Sequence, residues 1–230
     1  MRDHKSAARI QPITDEAQSP DLWRRCCPSF MALELLDKAV ICRQGDEGHT
    51  VFYLVKGFVK LSRVTVNGDQ LTTAILTEGD VFGASFIGTT GTMIEDTAMA
   101  KGPIRVFRVK PEEFRNLVSQ HSNIAWELIT RLTSRQLQVY HKMESILFKE
   151  VRARVAETIL ELAGAYGKNC QHGYELDIPL NQSELADLVG ASRPVVSTIL
   201  NKLRTQDILE YGREYICIKR RTELERLMTL

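Results

Sequence analysis

Between Asn181 and Leu200 the chain reads NQSELADLVGASRPVVSTIL, a spacing that sets a few polar groups where they could read the edges of base pairs. Asn181 with Glu184 three residues on has the form of a capping box, so a helix starts at Gln182. Leu185, Ala186 and Val189 give that helix a packed face. Gly190 can take the positive φ of a tight turn without a Cβ clash. Ser192 can cap a second helix, and Pro194 suits a first turn, where backbone N–H groups have no intrahelical partner. Val196, Ile199, Leu200 and Leu203 then pack inward. Arg193, Ser197, Thr198, Asn201 and Lys202 are left on the outward face, the one a helix-turn-helix lays in a major groove.

Each of these residues has its own chemistry. Arg193, at the start of the second helix, can make a bidentate contact to guanine O6 and N7, a contact that discriminates by about 1–3 kcal/mol. Ser197, Thr198 and Asn201 can read neighbouring bases or bind phosphate, and Ser183, Ser192 and the backbone at the helix starts can hold phosphate oxygens. Behind them Ile208–Tyr211, the turn Gly212-Arg213-Glu214 and Tyr215–Ile218 form a two-stranded wing, with Arg213 and Lys202 as phosphate contacts. From Arg193 to Arg221 seven basic residues (Arg193, Lys202, Arg204, Arg213, Lys219, Arg220, Arg221) face three acidic ones (Asp207, Glu210, Glu214). A local excess of this kind is the form of a phosphate footprint. Any one of these residues also fits a solvated surface, and a plain helical hairpin is the bland alternative. Their shared face favours DNA.

These groups need a scaffold, and 230 residues suit two small domains. Hydrophobic residues at 43% and charged residues at 26% fit chains with real cores. No apolar run reaches the roughly 18 residues of a membrane span. The opening MRDHKSAARIQPITDEAQSP has no apolar leader core, so residues 1–20 read as a loose arm and the chain as cytoplasmic. Five cysteines (Cys26, Cys27, Cys42, Cys170, Cys217) with no C-x-x-C pair argue against a disulfide framework or zinc ribbon. Without a glycine-rich phosphate loop, H-E-x-x-H or G-x-S-x-G, the chain does not read as an enzyme.

Residues 21–120 read as short strands between glycine turns. Val51–Val55, Phe58–Val64, Gln70–Leu76, Val81–Gly83 and Ile104–Val109 are the strands, and Asn67-Gly68 is a hairpin turn. The pattern predicts a small antiparallel barrel or jelly roll, in an α+β chain. Pro111 opens a helix, and after a break near Gln120–Ser122 a long helix runs to about Phe148. Ile129, Leu132, Gln136, Val139, Met143 and Ile146 recur three and four apart along it, a coiled-coil seam. A helix of ~26 residues spans about 39 Å, longer than a small barrel is wide. Two copies of the chain in parallel explain residues 121–148 better than a helix lying on its own domain. Residues 149–230 form the DNA-reading domain, with a hinge near Phe148–Glu150 and nothing of a flexible linker about it.

From Asp37 to Lys219 the chain resembles the CRP/FNR superfamily of bacterial regulators. Gly45-Asp46 and Phe52–Val59 look like the start of that family's barrel, and Glu78–Gly83 like its mid-barrel turn. Phe148–Ala156 is similar to its hinge and first DNA-domain helix, and Gly190–Arg193 to its recognition-helix start. The resemblance implies a cyclic-nucleotide-binding-like barrel, a dimerisation helix and a winged helix-turn-helix. It further implies a homodimer that reads a two-fold symmetric site and recruits or blocks RNA polymerase. Relatives that read TGTGA carry Arg-Glu and a second Arg four residues after the Glu. Here Arg193-Pro194 and Thr198 stand instead, so a different half-site is expected.

The effector side departs as well. Nucleotide-binding relatives have Gly-Glu-Leu after the Phe of this turn, where this chain has Gly83-Ala84-Ser85 and lacks the ribose-binding Glu. Glu95 and Asp96 fall where the family's phosphate-binding cluster lies, and like charges repel. Cyclic AMP is therefore not expected. Adjacent Cys26 and Cys27 do not suit an iron–sulfur cluster, though a redox thiol pair fits them, and haem could be assigned to His49, His121 or His141 only by residue type. Phe82-Gly83-Ala84-Ser85 with Arg135 on the long helix is loosely similar to the 2-oxoglutarate-binding nitrogen regulators of cyanobacteria, which implies a small-acid effector. The readings left open are a small-molecule effector at that site, a redox input, and no ligand at all.

Overall fold

The computed structural model describes Trp23 and residues 30–83, 93–171, 173–176, 178–212 and 215–229. The arm at 1–20, Cys26, Cys27, Ala84, Ser85 and Arg213 lie outside the described residues. The N-terminal half is a six-stranded antiparallel sheet of β1 (Met31–Leu35), β2 (Val40–Cys42), β3 (Val51–Val64), β4 (Gln70–Leu76), β5 (Val81–Gly83) and β6 (Thr97–Val109). Two long strands organise it. β3 and β6 pair over most of their length; β1 and β2 lie along successive parts of β6, and β4 and β5 along successive parts of β3.

The two strands expected at Val51–Val55 and Phe58–Val64 are one strand with a bulge. Register shifts fall on either side of Lys56, and Gly57 takes a φ of 93° there, so pairing with β6 continues through the irregularity. The sheet is open, with no pairing among the described residues that closes a barrel. It is covered on both faces, which explains why Val51 to Val55 are all buried although strand side chains alternate. Val51, Tyr53 and Val55 pack with Trp23, Phe107, Phe114 and Ile124, whereas Phe52 and Leu54 pack with Phe82, Ala98, Ala100 and Val106.

Helices follow the sheet. α1 (Pro111–Gln120) starts with proline in its first turn beside Glu112 and Glu113, then breaks at the extended His121. α2 runs from Ser122 to Phe148 without interruption. Its start rests on the sheet, through Ile124 and Leu128. Ile129, Leu132, Val139, Met143 and Ile146 are each 43–55% exposed, so much of the apolar stripe is left open by the described residues. Lys149 and Glu150 are extended and turn the chain into α3 (Val151–Tyr166).

The C-terminal half packs around α3. It holds β7 (Gly167–Cys170), β8 (Gly173–Leu176), α4 (Gln182–Val189), α5 (Arg193–Thr205), β9 (Leu209–Tyr211), β10 (Ile216–Ile218) and α6 (Arg221–Arg226). Its sheet has four strands in the order β7-β8-β10-β9, so β8 and β7 extend the two-stranded wing of β9 and β10. β7, reading GKNC, gave no hydrophobic alternation by which it could be seen. Val155, Ile159, Leu185, Val196, Leu200, Leu203 and Leu209 form the core.

Candidate nucleic-acid interface

The turn between α4 and α5 is built by local sequence. The Asn181 side chain accepts hydrogen bonds from the Ser183 and Glu184 backbone N–H groups, each at 3.0 Å, and the Glu184 carboxylate accepts from Asn181 N–H at 3.1 Å. This is a complete capping box. Gly190 ends α4 at φ 72°, ψ 43°, the left-handed conformation that a Cβ disfavours. Ser192 sits at the N-cap position of α5 but makes no side-chain cap hydrogen bond, contrary to expectation. Pro194 in the first turn, whose N–H would lack a helical partner anyway, helps start the helix without it.

With Val196, Leu200 and Leu203 buried, Arg193, Thr198, Asn201 and Lys202 are exposed on α5 and Ser197 is half-buried beside them. Ile199 packs on the core as expected, though it is only half-buried. Arg193 makes no hydrogen bond or ion pair with the described residues, so its guanidinium can be given wholly to a ligand. Thr198 Oγ1 donates back to the Pro194 carbonyl at 3.0 Å. The Asn201 side-chain oxygen accepts from Tyr211 Oη at 2.9 Å and Arg204 Nη2 at 3.1 Å, while Arg204 lies over the Tyr211 ring at 5.2 Å. This small network ties the end of the recognition helix to the wing strand β9. Nothing in the sequence marks Arg204 or Tyr211 as a partner of Asn201, and only the fold brings them to it.

The basic cluster is smaller than its composition suggested. Lys219 pairs with Asp207 at 3.0 Å and Glu210 at 3.3 Å, and Arg221 with Glu225 at 2.8 Å. The hydrogen bonds to Asp207 and Glu210 raise the Lys219 pKa. Arg220 donates to the Asp207 carbonyl at 3.0 Å. Arg193 and Lys202 carry the positive charge on the outward face of α5, while Ser183 is exposed at the start of α4.

The inner face of α4 is held by the N-terminal sheet. Glu184 is 4% exposed, and its carboxylate is bound by Lys101 of β6 at 2.9 Å and Lys60 of β3 at 3.1 Å. Burial pushes this carboxyl's pKa up. Hydrogen bonds from Lys101, the Asn181 backbone and Lys60 outweigh that and hold it below the ordinary glutamate value. Asp187 accepts from the Thr72 backbone N–H of β4 at 2.9 Å. Phe58 and Tyr166 meet edge to face at 5.5 Å, and Ile75 packs on the C-terminal core. At the hinge, Arg154 donates to the carbonyls of Ile146 and Gly190, both at 3.2 Å, and Lys149 and Ser145 donate to Glu157. The halves are thus joined through the first helix of the motif and through the hinge.

On the effector side, Phe82 is in the sheet core with its ring 5.3 Å from that of Phe52, Gly83 ends β5, and Arg135 is half-buried on α2. Arg131, one turn before, donates to the Glu78 carbonyl at 3.0 Å and so fastens α2 to the turn preceding β5. Glu95 and Asp96 are taken up by Arg63, at 3.2 and 3.3 Å. No group of three or more metal-ligating side chains comes together among the described residues. No helix among them is long and apolar enough to cross a membrane.

An open recognition helix on a winged domain, joined to an antiparallel sensory-type sheet, defines a DNA-binding transcription regulator. Residues 33–121 match the cyclic nucleotide-binding domain family, and residues 153–227 match the Crp-like helix-turn-helix domain family. The chain belongs to the CRP/FNR family of bacterial transcription regulators, a family of regulators and not of enzymes. It is 26% identical over 224 residues to the global nitrogen regulator of Synechocystis, covering 95% of this chain and 99% of that protein. It is 26% identical over 172 residues to the cAMP-activated global transcriptional regulator CRP of Pasteurella multocida, covering 75% and 82%. In fold it is similar to a CRP-family transcriptional regulator of Thermus thermophilus, with a TM-score of 0.72 at 22% identity over 86% of this chain and 97% of that one.

Proposed function

We propose that the protein acts in the cytoplasm as a homodimer on a two-fold symmetric DNA site, and that it recruits or blocks RNA polymerase there. The observation that carries this reading is the open face of α5, with Arg193 exposed at its N-terminus. Arg193 reads guanine; Ser197, Thr198 and Asn201 meet neighbouring bases; Ser183, Ser192, Lys202 and Arg213 hold phosphate. The largely open stripe of Ile129, Leu132, Gln136, Val139, Met143 and Ile146 supports pairing of two α2 helices. Residues 21–120 serve as the sensory domain, 121–148 as the dimerisation helix and 149–230 as the DNA-reading domain.

Control by cyclic AMP does not fit the side chains. Glu95 and Asp96 put two negative charges, against the single positive charge of Arg63, in the region where the family resemblance would place a phosphate. A small acid bound by Arg135 is the effector proposed instead, with Phe82, Gly83, Ala84 and Ser85 as its other candidate residues. Binding-site selection with full-length protein tests the DNA reading. The expected product is a palindrome distinct from TGTGA, with half-site centres roughly 34 Å or a multiple apart. Enrichment of single half-sites, or of none, would refute it.

A further inference from the structure

Two cysteines outside the DNA-reading surface stand together in the wing sheet. Cys170 ends β7, Cys217 is the middle residue of β10, and β8 runs between those strands. Cys170 is opposite Gly173 and Cys217 is opposite Glu175, two positions apart along β8, so both side chains leave the same face of the sheet. Gly173 puts no side chain between them. Its φ is 145°, and a Cβ there would stand 2.2 Å from the Ile218 carbonyl oxygen, so the gap is enforced by the backbone. The two sulfurs lie 3.2 Å apart as free thiols.

We propose that Cys170 and Cys217 form an oxidisable dithiol site, closed to a disulfide by a peroxide and reopened by thiols. Cys170 is half-buried and Cys217 buried, which sets the order of events. Burial, with the hydrogen bond to Cys170, pushes the Cys217 thiol up to about 11, so it stays protonated while Cys170 meets the oxidant. The Cys170 thiolate attacks hydrogen peroxide and the O–O bond breaks. One oxygen stays on sulfur as a sulfenic acid, and the other leaves as hydroxide, which the proton given up by the Cys170 thiol turns into water. The Cys217 sulfur then attacks the sulfenic sulfur, and its proton leaves with the hydroxyl as a second water. Two thiols and one peroxide give one disulfide and two waters.

The bond would close a ring from residue 170 to residue 217 that contains α4, α5 and β9. Oxidation would therefore cross-link β7 to β10 over β8 and enclose the helix-turn-helix in a covalent loop. The signal would enter the DNA-reading domain directly, without passing through the N-terminal sheet or the hinge. In a reducing compartment such bonds are transient and sensing, which suits a pair already in contact.

The test is peptide mapping of the full-length protein by mass spectrometry, reduced and then exposed to hydrogen peroxide, digested without reductant. The expected product is a Cys170–Cys217 linked peptide, lighter by the two thiol hydrogens and split by dithiothreitol. Cys217→Ala should instead leave Cys170 as a sulfenic acid that a dimedone probe captures. Peroxide-treated protein should melt at a higher temperature than reduced protein, a shift absent in Cys170→Ser. Cys170 found unoxidised, or as sulfinic acid with no linked peptide, would overturn the proposal.

Discussion

The two helices of the helix-turn-helix meet opposite circumstances. α5 turns Arg193, Thr198, Asn201 and Lys202 to solvent, and its charge waits for an external partner. α4 turns Glu184 into the seam between the halves, where Lys60 and Lys101 neutralise it, and Asp187 binds the Thr72 backbone beside it. One short motif thus contains both an open polar surface and a joint between the two halves. Lys60 of β3, Thr72 of β4 and Lys101 of β6 are bonded directly to α4, which the Gly190 turn joins to α5. Open surfaces here depend on partners outside the chain, and the joint depends on partners inside it.

That contrast can be broken in graded steps. The largest effect is expected where two open stripes would meet. Val139→Glu with Met143→Glu places like charges across the α2 seam, should give a monomer in sedimentation velocity, and should weaken full-site DNA binding roughly 100-fold. Both residues are exposed in the single chain, so its folding should be unaffected. At the joint, Glu184→Gln leaves two nearly buried ammonium groups without a counter-charge and should cost about 3 kcal/mol in denaturant unfolding. Replacing Lys60, Lys101 and Glu184 together by Met should restore most of that stability. Asp187→Asn keeps an acceptor for the Thr72 N–H but removes its charge, and should cost about 1 kcal/mol by the same assay.

The smallest effect is in acid. The folded protein holds the Glu184 carboxyl below its ordinary value of 4.5, so it binds this proton less readily than the unfolded chain does. The resulting stability is present in full above that range and is lost as pH falls through the lowered value. The wild type should therefore lose more stability than Glu184→Gln between about pH 5 and pH 3. Parallel curves would show that the joint carries no such linkage.

What the sequence disclosed was local. Asn181, Glu184 and Gly190 announced the capping box and the turn because each acts within a few residues, and both ends of α2 followed from the break at His121 and the change of pattern after Phe148. The joint was hidden because its partners are remote: Lys101 and Glu184 are separated by 83 positions, Thr72 and Asp187 by 115. Glu184 looked like a capping residue and nothing more. β1, β2 and β7 are short or polar strands whose pairing, not their pattern, defines them. The basic count also misled, since Lys219 and Arg221 answer to acidic neighbours that composition could not place.

The most direct measurement of the central claim is fluorescence anisotropy of wild-type and Arg193→Ala protein, at about 0.15 M salt, on the selected duplex and on a scrambled one. If α5 reads DNA as proposed, the substitution weakens the selected duplex by roughly 5- to 150-fold and leaves the scrambled one nearly unchanged. Equal losses on both duplexes would contradict the account, because Arg193 would then be holding phosphate and not reading a base.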